Sequence, residues 1–563
     1  LSLFPAPGRR FLPAVFDAGD VAALAPCFDT LLWRHLEDTP AIEQWLRDES
    51  ELQSAIAGEQ ARRYVRMTRQ TDDQTARNSY LAMEREVMPY VKQRSNELDR
   101  KLLAVAGKLP AAFDTLVRRR RTQHELFRDE NTALQQQEAE LLTGHQEMMG
   151  GVAVDFDGQT LTLQQLAPYL ERHDRDQREA AFRAGQAARR RLWPRLEELY
   201  ARLISLRTTI ARNAGFHTFT PFRFLELGRY DYDEADCRRL HDSIAECVVP
   251  AVRELDARRA AALGLPRLRP WDLEVDPSGR PPLRPFTTQS ELVGLCRRLV
   301  AAVDPEFGQW LEELDRRDLL DLMSRRGKAP GGYQYQLEDV RLPFVFANSV
   351  GLHHDVQTLL HECGHAFHSL LCRHHDLLLH RDYSIEIAET ASMSMELLGL
   401  EHLGHVYAPD DARSVRRRHL EGVLRTLTWI ASIDAFQHWV YAQPNHAPEE
   451  RRIAWLDIRR RFGSTVDWSG LEAECAMQWT GQTHLFQNAF YYIEYAIAQL
   501  AALQVWRNYR RDTAGTVAAY RRALSLGATL PLPDLFAALG VDFDLSPATV
   551  GELVADVMDQ LEA

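Results

Sequence analysis

The sequence predicts a mainly α protein. Apolar residues recur every three or four positions through most of the 563-residue chain, the signature of amphipathic helices. Only two short stretches read as β-structure. Hydrophobic residues make up 45% of the chain, ample for an extensive core, and no apolar run reaches the roughly eighteen residues needed to cross a membrane.

In chain order, residues 1–80 read as several helices anchored by Trp33 and Trp45. Residues 83–148 are charged and Gln-rich, which predicts long, exposed antiparallel helices broken near Pro110. Gly151–Leu163 alternates in polarity around Asp157-Gly158, the pattern of a β-hairpin. Helices resume from Gln164 to about Arg212. Pro277–Pro285 is a Pro-rich loop, and Val340–Asn348, rich in Val and Phe, reads as a short strand. These elements divide the chain into a helical lobe with an exposed helical hairpin and a β-hairpin (1–203) and a second domain (204–563).

Charge and cysteine usage narrow the class. Lys and Arg number 67 against 80 Asp and Glu, a net charge of -13 that argues against nucleic acid as a partner. Arg118–Arg121 is a basic run, and reads as a solvated, ion-paired helix face. The seven cysteines are odd in number and unpatterned, which points to a reducing compartment and a cytoplasmic location. Leu1–Gly8 lacks the basic and apolar regions of a signal peptide; a trimmed signal stays open because the chain starts without Met. Oligomeric state is equally open.

Residues 361–368, His-Glu-Cys-Gly-His-Ala-Phe-His, carry the chemistry. Positions four apart on a helix point the same way, so His361 and His365 can hold one metal ion, with Glu362 beside them to take a proton from water. Val356, Leu359, Leu360, Cys363, Phe367, Leu370 and Leu371 form the apolar stripe of that helix, with Asp355 as its N-cap. His361, His365 and His368 occupy the opposite, polar stripe. A hydrolytic zinc site needs a third protein ligand. The position where a metzincin carries its third histidine is Leu371, so the ligand must come from elsewhere. Ser384–Glu396 predicts a helix capped by Ser384, with Glu386, Glu389 and Glu396 on one face. Glu389 is the ligand this spacing favours. Glu386 or Glu396 would then hold a ligand histidine through its other ring nitrogen. A solvated acidic face is the competing reading.

The string HECGHAFHS followed by IEIAETASMSMEL resembles the oligoendopeptidase F and thimet oligopeptidase family of zinc metallopeptidases. That family's third ligand is the glutamate matching Glu389. Gly327–Tyr333 and Leu342–Asn348 are similar to the family segments ahead of the metal helix, and His484–Tyr495 to its His/Tyr segment. Ala489 stands where relatives often carry Pro. The similarity covers about residues 150–560. It implies a bilobal helical zinc-peptidase fold with a deep central substrate channel and a small β-sheet near the active site. It also implies one Zn2+ per chain and endopeptidase cleavage of short unstructured peptides. His484, Tyr491, Tyr492 and Tyr495 would stabilise the oxyanion, and Gly332, Tyr333, Ala347 and Asn348 would hold substrate backbone, the strand offering its edge. Three other readings compete, the remotest being a helical scaffold that meets HExxH by accident. A zinc carboxypeptidase or dipeptidyl carboxypeptidase on a similar scaffold would share the motif. A non-catalytic peptide-binding protein would be expected to lose Glu362 or a ligand, and none is missing.

Overall fold

Side-chain caps set where helix after helix begins. Asp20, Asp38, Asp73, Asp174, Asp233, Thr288 and Asp304 each accept a backbone N–H from the first turn that follows, satisfying donors a helix start leaves orphaned. The computed structural model describes residues 3–325, 327–329 and 331–562. Leu1, Ser2 and Pro330, which fall in segments read above, lie outside the described residues. Helices dominate, and the described strands form one two-stranded and one three-stranded sheet. No described helix is long and apolar enough to cross a membrane.

The chain folds into two units, each assembled from three separate stretches. The first comprises Leu1–Phe127, Arg284–Pro409 and Ala501–Phe543; the second comprises Arg128–Leu283, Asp410–Leu500 and Asp544–Ala563. Neither is bounded near residue 203, which lies inside helix Trp193–Asn213.

In the first unit, helices Val21–Trp33, Thr39–Arg69 and Met88–Val105 pack around Leu24, Phe28, Trp45 and Leu98. Trp45 is fully buried and donates its indole N–H to the Leu31 carbonyl (2.9 Å). Trp33 is no anchor. It is the last residue of its helix and remains 78% exposed. The basic run is ion-paired as expected, with Arg119 on Asp382, but Arg120 is buried between Glu49 and Asp99.

The same unit holds the three-stranded sheet of β3 (Leu320–Met323), β4 (Tyr333–Leu337) and β5 (Leu342–Ser349). The order is β3-β5-β4, with β3 parallel and β4 antiparallel to β5. The expectation that β5 offers a free edge is therefore corrected: β5 is the central strand, paired on both sides, and β4 is an edge strand. The second unit carries the predicted hairpin, β1 (Ala153–Phe156) and β2 (Gln159–Thr162). Asp157 and Gly158 both take positive φ (52° and 72°), as a two-residue turn that matches strand twist requires.

Lys328 ties the loop before β4 to the sheet. Its side chain is buried over the Phe346 ring (4.3 Å). The ammonium donates to Asp321 Oδ1 (2.9 Å) and to the carbonyls of Asp321, Met323 and Ala347. Burial lowers its pKa to about 8, with Asp321 opposing, so the charge persists at neutral pH. Replacing it with Met leaves Asp321 and three carbonyls short of a donor. Lys328→Met should cost about 3 kcal/mol of stability, measured by denaturant unfolding against wild type.

Candidate metal centre

β5 runs directly into the histidine helix, His353–Cys372. The N-cap position is Leu352, and Asp355 sits one turn in. Its Oδ2 reaches back to accept the N–H groups of Val350, Gly351 and Leu352 at 2.9 Å each. This corrects Asp355 as N-cap while keeping a capping role. The apolar stripe is buried as predicted, except that Leu371 is only half-buried. Phe367 stacks on Phe307 (4.6 Å between centroids) and meets Trp310 edge-on.

The carboxylate helix, Ile385–Leu400, crosses the histidine helix at Gly364, inside the motif itself. A Cβ at Gly364 would lie 2.4 Å from the Ser392 Cα and 2.6 Å from the Ala391 carbonyl oxygen, so only glycine permits this approach. Ser384 occupies the N-cap position, but its hydroxyl makes no capping bond. Tyr520 donates to the Ala391 carbonyl (2.8 Å) from helix Thr513–Ser525.

This crossing brings His361, His365 and Glu389 together. Glu389 Oε2 lies 3.3 Å from His361 Nε2 and 3.5 Å from His365 Nε2. The two imidazoles stand nearly perpendicular (83°). Ligands at zinc bond lengths around a tetrahedral ion are about 3.3 Å apart, close to the two spacings from Glu389, and one donor atom from each residue lies within 4.8 Å of the others. Ser392 Oγ lies 3.0 Å from the same Glu389 oxygen. His361 Nδ1 meets Glu396 Oε1 (2.7 Å), whose other oxygen accepts from Gln357 (2.9 Å). Of the two carboxylates proposed to steady a histidine, Glu396 makes that bond; Glu386 is buried in the first turn of its helix.

The electrostatics are those of a paired, water-poor site. Burial disfavours a charged His361, yet Glu389 and Glu396 outweigh it and hold its pKa well above the usual value. Burial likewise opposes ionisation of Glu389, but His365 and His361 keep it well below the carboxylate range. Glu362 differs. Burial raises its pKa, with His365 and His361 pulling the other way, and its Oε2 has no hydrogen-bond partner.

His368 departs from its polar-stripe assignment. The helix is buried nearly all round, and His368 is fully enclosed, stacked on Tyr383 at 3.5 Å. Burial drives its pKa well below normal, with His365 adding to the effect.

The four proposed substrate-binding residues have different surroundings. A side chain at Gly332 would come within 3.8 Å of Glu362 Oε1. Tyr333 stacks on Phe346 (4.7 Å, 7°), and its hydroxyl meets Thr68 (2.6 Å). Ala347 is buried and gives its carbonyl to Lys328. Asn348 donates to the carbonyls of Ala329 (2.7 Å) and Gly331 (2.8 Å). The side chains of Tyr333 and Asn348 thus hold the loop and sheet, while Gly332 faces the glutamate.

His484, Tyr491, Tyr492 and Tyr495 belong to the second unit and cluster there. The His484 ring centroid lies 5.5, 5.1 and 5.7 Å from the three phenol rings in that order. They do not lie on one continuous helix. Thr483–Gln487 is a short helix, Asn488–Tyr492 a turn, and Ile493–Arg511 the next helix. Phe490 takes a left-handed φ of 63°. Gln437 accepts its N–H (2.6 Å) and buried Arg229 donates to its carbonyl. Arg229 also pairs with buried Glu494 (2.7 Å). Burial pushes Tyr492 up to about 12, with Trp429 and Gln482 opposing. Gly364, Ser392, Gln357, Arg229 and Gln437 were not found from sequence. A glycine inside the metal motif and a serine three residues after Glu389 were the available signals for the first two.

The model of peptidase family M3 matches residues 168–553. The chain belongs to peptidase family M3. Among M3-related proteins, Oligopeptidase PepF of Bacillus subtilis is 24% identical over 271 residues, covering 47% of this chain and 40% of that protein. An oligoendopeptidase F homolog of Mycoplasma pneumoniae is 22% identical over 432 residues, covering 69% and 66%. The aligned stretches therefore span less than two thirds of either relative. Two solved structures superpose with a TM-score of 0.91: PZ peptidase A with an inhibitor (26% identity, 98% of this chain and 99% of that one) and a putative oligoendopeptidase F (27%, 99% of each). The mainly α class expected from sequence is thus shown.

Gly364→Ala is the sharpest test of the helix crossing. It should destabilise the fold by about 1–3 kcal/mol through overpacking, read as a lower unfolding midpoint.

Proposed function

We propose that this M3 family member is a zinc-dependent oligoendopeptidase acting on short, unstructured peptides. The observation carrying the reading is the convergence of His361, His365 and Glu389, one donor atom of each within 4.8 Å of the others and Glu389 Oε2 within 3.5 Å of both Nε2 atoms, with Glu362, whose Oε2 is unpartnered, next to them. Those three residues would hold the ion. When bound, zinc supplies Lewis acidity, making water more acidic and polarising a carbonyl.

The chain's own groups do the rest. Glu362 takes a proton from the attacking water and passes it to the departing amine. Its raised pKa suits a group that must accept and then return a proton near neutral pH. Glu396 fixes His361 through Nδ1, so that Nε2 presents its lone pair. The edge of β4, with Gly332 beside Glu362, receives extended peptide backbone. His484 and the phenols of Tyr491, Tyr492 and Tyr495 donate hydrogen bonds to the oxyanion; their mutual packing and the likeness to the family's His/Tyr segment support this role. A cytoplasmic location accords with seven free cysteines.

Glu362→Gln should lower kcat by roughly 10²- to 10⁴-fold while zinc content stays unchanged. Glu389→Ala should lose zinc, measured by elemental analysis. Metal and proton compete for His361, whose pKa is raised, so zinc affinity should fall as pH is lowered in a chelator-competition titration. The deciding experiment is mass spectrometry of a graded peptide mixture with and without chelator. Chelator-sensitive internal cuts confined to short peptides support the proposal; stepwise C-terminal loss would replace it with a carboxypeptidase.

A further inference from the structure

A second group of metal-type ligands lies in the other unit, unconnected with the motif. Helix Glu234–Ser243 carries Cys237 and His241, and helix Pro409–Ala442 carries Asp434 and His438. Each pair is spaced i, i+4, so each helix turns two ligand-type side chains to one face. Facing helices of this kind are where bundle cores build metal sites. All four residues are buried, Asp434 completely.

The donor atoms converge. One atom each from Cys237, Asp434 and His438 lies within 4.8 Å of the others. His438 Nε2 is 3.2 Å from Asp434 Oδ2, and its Nδ1 is 3.4 Å from Glu234 Oε1. That repeats the first centre, where His361 Nε2 is 3.3 Å from Glu389 and Nδ1 meets Glu396. His241 Nε2 holds Asp434 Oδ2 at 2.9 Å. Phe224, Phe462 and Phe490 wall the group.

Polar atoms here lack what burial demands. Asp434 Oδ1 has no hydrogen-bond partner, and neither ring nitrogen of His438 makes a well-formed hydrogen bond. Buried polar atoms are almost always satisfied by protein, water or an ion.

We propose that Cys237, Asp434 and His438 form a second, structural zinc-class metal site. A thiolate and a carboxylate neutralise a divalent ion, and both oxygens of Asp434 with one sulfur and one nitrogen give four donor atoms. His241 orients Asp434, and Glu234 orients His438. His438 packs against Phe490 (5.0 Å), the left-handed residue ahead of Tyr491, so the ion stiffens that turn. The site stands or falls independently of the peptidase reading.

The test is elemental analysis of the full-length chain after zinc loading and gel filtration. Wild type should carry two zinc ions. His361→Ala/Glu389→Ala should keep one, and Cys237→Ser/Asp434→Asn should keep the other. A His361→Ala/Glu389→Ala protein devoid of zinc overturns the proposal. Wild type expressed with cobalt supplies a check free of folding defects. It should show a near-ultraviolet thiolate-to-cobalt charge-transfer band, because the first centre contains no sulfur ligand, and Cys237→Ser should abolish it. Cobalt-loaded wild type without that band overturns the proposal too.

Discussion

The candidate metal centre depends on how closely two helices pass. The histidines belong to one helix and Glu389 to the other, so donor spacing is a property of the crossing and not of either element. Gly364 sets that distance, since any side chain there would meet the backbone at Ser392. Glu396 then bridges the same pair of helices through His361 and Gln357. The crossing is held at two levels, and the buried aromatic layer of Phe307, Trp310 and Phe367 backs the histidine helix.

The charges reinforce the same geometry. Two carboxylates flank His361, and the paired Glu389 stays ionised despite burial. The three candidate ligands are thus drawn to one another by charge, which would reduce the reorganisation that binding an ion requires. Glu362 is left outside this pairing, with burial raising its proton affinity. Neighbouring carboxylates thus differ in proton affinity, because one has hydrogen-bonded partners and the other is buried beside Gly332 with its Oε2 unpartnered.

What could be read in the sequence follows from what is local. The i, i+4 histidines need only a helix, and Glu389 needs only the face of the next one. The mainly α class and the Asp157-Gly158 hairpin rest on equally short-range rules. Roles set by distant partners were hidden. Gly364 acquires meaning only from Ser392, and His368 looks polar until neighbours close over both sides of its helix. The β5 edge seemed available because β4, a half-buried run of polar and aromatic residues, does not announce itself as a strand. The local path of the tyrosine segment was hidden because Phe490's left-handed turn is enforced by Arg229 and Gln437, far away in the chain. Trp33 illustrates the converse: a large apolar side chain at a helix end can stay in solvent.

The order of synthesis gives the interleaved architecture a further meaning. Ala391, at the heart of the helix crossing, is braced by Tyr520, which is made 129 residues later. The stretch that carries Tyr520, Ala501–Phe543, is also the last to join the first unit. A ribosome-bound chain that has already exposed His361, His365 and Glu389 therefore still lacks part of the scaffold that packs their helices. Domains complete themselves as their sequence emerges, and here completion waits for Ala501–Phe543, well after the helices that carry the three residues. A centre built this way matures only once residues 501–543 have emerged and packed against it.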